Sequence, residues 1–117
     1  MPRAGIAVQN ITRVAAEVTY SAPQVIASGG NYFANDGRTF LHIKLGGTAP
    51  ATPTLTIETP GLVDGQAIAQ KTTVIAKSKE YVAGPYPPGV YNQAGDVVYF
   101  DIGADITDIT VAVLRLP

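Results

Sequence analysis

Cysteine and tryptophan are absent from this 117-residue chain, histidine and methionine occur once each, and charged residues make up only 15% of it. Each shortage removes a class of chemistry. Without cysteine there are no disulfides, thiolate nucleophiles or soft thiolate metal sites, and a cysteine-free chain tolerates either redox compartment. With one histidine, His42, any Ser-His-Asp arrangement, imidazole metal cage or histidine acid–base step has to run through that residue. A formal net charge of -1 supplies no surface able to neutralise a run of phosphates, so nucleic acid is not an expected partner. No apolar run approaches the roughly 20 residues that span a bilayer, and no membrane partner is expected. The opening MPRAGIAVQN holds one arginine but no apolar h-region. It does not read as a secretory signal, so the mature chain is expected to begin at or near Met1, made in the cytoplasm as a soluble product.

What is present points to strands. At 46% apolar residues the chain can bury one continuous core without cross-links, and its length fits a single domain. In TFLHIKL, Thr39, Leu41, Ile43 and Leu45 fall on one face and Phe40, His42 and Lys44 on the other. In TPTLTIE, Pro53, Leu55 and Ile57 oppose Thr52, Thr54, Thr56 and Glu58. This alternation predicts strands with one buried and one wet face. Further strands are expected in NYF before the NDGR turn, KTTVIA from Lys71, EYVAG from Glu80, VVYFDI from Val97 and ITVAVLRL from Ile109, whereas GTAPATP, TPGLVDG and NQAGD read as loops. NITRVAAEVTY fits a helical stripe through Ile11, Val14, Ala15 and Val18, and equally a strand through Val14, Ala16, Val18 and Tyr20. The extended reading is preferred, because no capping glycine follows directly at Ser21, Ala22 and Pro23. The pattern predicts an all-β, single-domain β-sandwich of jelly-roll or Greek-key type, with about seven or eight short strands. Residues 1–20 form an extended N-terminal arm or first strand, and residues 21–117 form the sandwich domain.

Candidate chemistry is sparse. His42 lies on the polar face of its strand with no placed partners in view and reads as a surface or interface histidine. DIGADITD gathers Asp101, Asp105 and Asp108, but not at the spacing of a calcium loop, so a solvated turn is the better account. The same aspartates, or Asp64 with Glu58, could be cast as a glycosidase pair, yet sequence fixes no carboxylate separation. Gly29–Gly30 and Gly46–Gly47 lack the helix and lysine of a phosphate loop and read as turns. No catalytic residue, metal ligand or cofactor site is singled out, and a non-enzymatic protein is expected.

Residues 81–101, YVAGPYPPGVYNQAGDVVYFD, set Pro85, Pro87 and Pro88 among Tyr81, Tyr86 and Tyr91. Prolines offer no N–H donor, so the chain must bend there or run as a blunted edge. The tyrosines then serve as a lid over the sandwich end or as a contact for another chain. Stacking of sugars is a weaker use without tryptophan, and it motivates the alternative of a carbohydrate- or receptor-binding module.

Through NDGRTFLHIKLGG, TPTLTIETPGLVDGQAIA and YVAGPYPPGVYNQAGDVVYFD, most of residues 31–117 resembles small proteins encoded in the head-assembly modules of tailed bacteriophages and prophages, and among them capsid decoration, or cement, proteins. The opening MPRAGIAVQNITR matches more loosely. The resemblance implies a β-sandwich structural protein of the virion, trimeric, seated on the capsid exterior, where it holds neighbouring major capsid subunits together. Another head or tail structural role is the nearest variant. Its partners would be the major capsid protein and further copies of itself. The residues expected to make contacts are Arg3, Ile6, Val8, Ile11 and Arg13 in an N-terminal segment with no hairpin tying it to the body; Tyr81, Tyr86 and Tyr91; and Ala112 and Leu114. With Thr110 and Leu116, the last two give the final strand an unusually apolar second face opposite Ile109, Val111 and Val113, as if another subunit covered it.

Overall fold

The computed structural model describes residues 3–15, 17–24, 29–47, 52–59, 62–63, 66–67, 70–103 and 108–117. In chain order they form β1 (Ala4–Gly5), β2 (Val8–Asn10), β3 (Asn31–Ala34), β4 (Thr39–Leu45), β5 (Thr54–Ile57), β6 (Leu62–Val63), β7 (Gln66–Ala67), β8 (Lys71–Val74), β9 (Lys79–Ala83), the single helical turn α1 (Pro88–Tyr91), β10 (Val97–Gly103) and β11 (Ile109–Arg115). One sheet has the spatial order β1-β3-β10-β5-β8 and the other β2-β11-β4-β9. The two pack as a single-domain β-sandwich. β6 falls within the stretch read from sequence as the loop TPGLVDG and pairs antiparallel with β7, which lies just beyond it.

The alternation seen in the sequence directs the packing. β4 buries Thr39, Leu41, Ile43 and Leu45 and leaves Phe40, His42 and Lys44 half-buried on its outer side. β5 buries Leu55 and Ile57. These side chains meet Phe33, Val98, Phe100, Ile102, Val111 and Val113 in one core. Each such residue contributes about 1.5–3 kcal/mol when fully buried.

Of the two readings of the N-terminal segment, arm or first strand, residues 4–10 form strands paired to both sheets. β1 runs parallel to β3, with Ala4 opposite Asn31. β2 runs parallel to β11, with Val8 opposite Val113. The chain therefore steps from one sheet to the other, and Ile6 at the crossing is 9% exposed within the core. Backbone pairing and the burial of Ile6 together offset the entropy of ordering an otherwise free strand.

After β2 the chain leaves the sheet and returns at Ser21, whose N–H and C=O both bond Val111 at 2.8 Å. Gln9 closes the base of this loop: its Nε2 donates to the Thr19 carbonyl at 2.6 Å and its Oε1 accepts from the Thr19 N–H at 2.8 Å. The described residues of 11–20 form neither helix nor strand and bend at Arg13 and Val14.

The proline-rich stretch ends β9. Gly84 takes φ 118 and lies so close to β4 that an added Cβ would meet Phe40 Cβ at 3.0 Å and the Thr39 carbonyl at 3.2 Å. Glycine is the residue that fits both constraints. Pro85 follows through a cis peptide, and Tyr86 then turns into the core, 6% exposed, against Phe33 at 6.2 Å between ring centroids. Tyr91 on α1 closes over it edge-on at 5.0 Å. Such aromatic pairs add about 0.5–1.5 kcal/mol each beyond their buried area.

Candidate interaction surface

The outer face of the β2-β11-β4-β9 sheet is built in rows by strand register. Leu114 lies opposite both Gln9 and Phe40, Ala112 opposite His42, and His42 opposite Val82. The Ser21–Val111 bridge places Tyr20 beside Ala112. Tyr20 covers this middle row. Its hydroxyl lies 3.0 Å from His42 Nδ1 and its ring meets the imidazole at 66°. His42 Nε2 lies 3.1 Å from Glu80 Oε1, and Lys44 Nζ stands 3.8 Å above the Tyr20 ring. In the neutral imidazole one arrangement satisfies every group: Tyr20 O–H donates to Nδ1 and Nε2–H donates to the carboxylate. His42 is thus not a bare surface histidine but the pin that holds the returning loop.

Ala112 is 1% exposed beneath that cover. The apolar second face of the last strand is therefore covered at Ala112 by residues of its own chain, because the loop that returns at Ser21 carries Tyr20 onto it. Leu114, half-buried, instead lines a shallow groove of about 280 Å³ with Ile11, Val14, Ala15 and Val18 as its apolar wall. Val14 on its wall is 78% exposed; elsewhere on this sheet Val82 in β9 is 65% exposed, and Leu116, just past β11, 42%. Arg13 is exposed next to Val14. Leu116 belongs to the apolar second face read from the sequence, whereas Val14 and Val82 were not expected as contacts, although the alternation of KEYVA puts Val82 on the side opposite Tyr81 and Ala83.

The other expected contact residues are distributed through the molecule. Ile6 and Tyr86 belong to the core, and Val8, Tyr81 and Tyr91 pack against it. Tyr81 Oη accepts the Ala76 N–H at 3.1 Å. Burial raises the Tyr86 phenol well above its ordinary pKa, with neighbouring Tyr91 adding to the effect. Tyr86 is thus internal, and the aromatic platform behind the sugar-binding alternative does not form. Arg3 is engaged within its own chain, across the outer face of the β1-β3-β10-β5-β8 sheet: it donates to Asp101 Oδ1 at 2.6 Å, pairs with Glu58, and lies 4.1 Å from the Tyr99 ring centroid. Asp101 is buried in β10 rather than placed in a solvated turn. Asp64 and Asp105 lie outside the described residues.

At one end of the sandwich, a cleft of about 680 Å³ is lined by Asn10, Asn35, Asp36, Asn92, Asp96 and Arg115 among others. Most of its polar groups are engaged with one another. Asn35 Nδ2 donates to Asn92 Oδ1 at 2.7 Å, and Arg115 Nε donates to Asp36 Oδ2 at 2.7 Å. That bond from Arg115, followed by the Arg38 N–H, holds the Asp36 carboxyl below its usual range.

Comparison with known proteins gives no match to any family model, to any curated protein or to any solved structure.

Proposed function

We propose that this chain is a structural virion protein that docks on the outside of a phage capsid through the outer face of the β2-β11-β4-β9 sheet and stabilises contacts between major capsid subunits. The observation that carries the reading is that exposed Val14 lines the Leu114 groove while exposed Val82, in β9, stands on the outer face of the same sheet and exposed Leu116 follows β11. Exposed large apolar residues gathered on one face mark a surface that another protein covers. The resemblance of residues 31–117 to capsid decoration proteins supplies the kind of partner. A rigid anchor suits the role: the face is braced by the Gln9–Thr19 and Tyr20–His42 contacts, so little ordering remains to oppose docking.

The test is co-sedimentation of the full chain with capsids lacking it, compared with Val14→Asp and Val82→Asp variants. These exposed side chains can be changed with little effect on folding. The wild-type chain should pellet with the capsids and each variant should bind at least about tenfold more weakly. Equal binding by all three removes this face from the interface, and absence of binding by the wild-type chain defeats the decoration reading.

A further inference from the structure

β8 is the free edge of its sheet, and all four of its residues are exposed. Among the described residues, the other sheet edges are short or blunted: β1 has two residues, β2 has three, and β9 carries Lys79 and Glu80 before Gly84–Pro85. Natural edges are guarded by charge, proline or bulges. From Lys71 to Val74 there is no proline, and the one charge lies at the end of the strand.

The backbone register fixes what this edge presents. Ile75 N–H donates to the Pro53 carbonyl at 2.9 Å. With Leu55 opposite Thr73 and Ile57 opposite Lys71, the antiparallel alternation turns the peptide groups of residues 71 and 73 toward β5. The N–H and C=O of Thr72 and Val74 therefore point away from the sheet. Two donors and two acceptors stand in line on an unblunted strand.

We propose that β8 is a self-association edge on which a second copy of this chain pairs its own β8 antiparallel, about a two-fold axis through Thr73. Thr72 of each copy then exchanges hydrogen bonds with Val74 of the other, and the two sheets join into one. The strand is self-complementary in this register. Val74, 61% exposed in the single chain, gains a β-branched neighbour in Thr72 of the second copy on the same face. The two Lys71 side chains fall at opposite ends of the pair, so no like charges are opposed. Only Thr73 faces itself. The contact is two-fold, lies away from the proposed capsid-docking face, and differs from the three-fold association that the resemblance implies.

The chain contains no cysteine, so a single introduced thiol reports the register. In a non-hydrogen-bonded antiparallel pair the Cα atoms lie about 4.5 Å apart, within the range of about 4.4–6.8 Å that a disulfide spans. Thr73→Cys should therefore form a disulfide-linked dimer on mild oxidation, whereas Lys71→Cys should stay largely uncross-linked. Light scattering on the full chain should give a dimer, lost in Thr73→Lys and in Thr73→Glu and restored when the two variants are mixed in equal amounts. A wild-type chain that stays monomeric, a dimer whose mass Thr73→Lys leaves unchanged, or equal cross-linking by the two cysteine variants overturns the proposal.

Discussion

Replacing Arg3 with alanine removes the cation that holds Glu58 and Asp101 together. The guanidinium donates to Asp101 Oδ1 at 2.6 Å and to the Asn31 carbonyl at 3.3 Å, pairs with Glu58, and covers the Tyr99 ring. The Asp101 side chain is 6% exposed and that of Arg3 22%. Desolvation by itself would lower the Arg3 pKa, but the hydrogen bonds to Asp101 and Glu58 outweigh it and leave the group above its usual value. Glu58 is raised, first by its hydrogen bond with Asp101 and then by burial. Breaking a buried pair by removing one partner costs about 3–5 kcal/mol, and partial exposure at Arg3 and Glu58 reduces this to about 2–3 kcal/mol. At about 4 °C per kcal/mol for a domain of this size, the unfolding midpoint should fall by roughly 8–12 °C.

The pH dependence follows from the sign of the Glu58 shift. A folded-state pKa above the unfolded value means that ionised Glu58 is a cost at neutral pH, relieved as pH falls through the folded-state pKa toward the ordinary glutamate range. Without Arg3 that pKa rises further. The deficit of Arg3→Ala relative to wild type should therefore shrink between neutral pH and about pH 4–5, where a protonated Glu58 can donate to Asp101. Thermal unfolding followed by circular dichroism across that range measures it. A deficit below about 1 kcal/mol at neutral pH, or one that grows on acidification, would refute the assignment of Arg3 as the clamp on Glu58 and Asp101.

Deleting residues 2–13 removes β1, β2 and the buried Ile6, so it should cost at least about 4 kcal/mol or abolish the cooperative transition in urea; an unchanged midpoint would mean that the segment is detachable. His42→Ala removes the partner of Tyr20 and should cost about 1–2 kcal/mol, while speeding amide exchange at Thr19 and Ser21 more than within β4. Equal acceleration throughout would mean that His42 supports the whole sheet instead of pinning the loop.

Period-two alternation made the sandwich legible because each strand's buried face is written locally: TFLHIKL and TPTLTIE bury the residues their spacing assigns inward. Pairing partners are not written locally. Nothing within MPRAGIAVQN shows that Ala4 will lie beside Asn31 or Val8 beside Val113, since parallel pairs form across long connections with no turn signature. The same holds for Arg3, whose carboxylate partners Glu58 and Asp101 come from just past β5 and from β10. The apolar second face of ITVAVLRL was legible, but its cover was not. Tyr20 reaches Ala112 only because Ser21 pairs with Val111, which sequence spacing does not disclose. Similarly, proline and tyrosine chemistry marked residues 81–91 as a stiff bend, while the choice between lid and contact depended on the direction taken after Gly84.

Amide hydrogen exchange on the full chain, free and bound to capsids lacking it, tests the docking face most directly. Binding should slow exchange in residues 11–15 and in β9, around Val14 and Val82, and leave the cleft at Asn35, Asn92 and Asp96 as it is in the free protein. Protection of that cleft, with residues 11–15 and β9 exchanging as in the free protein, would contradict the account.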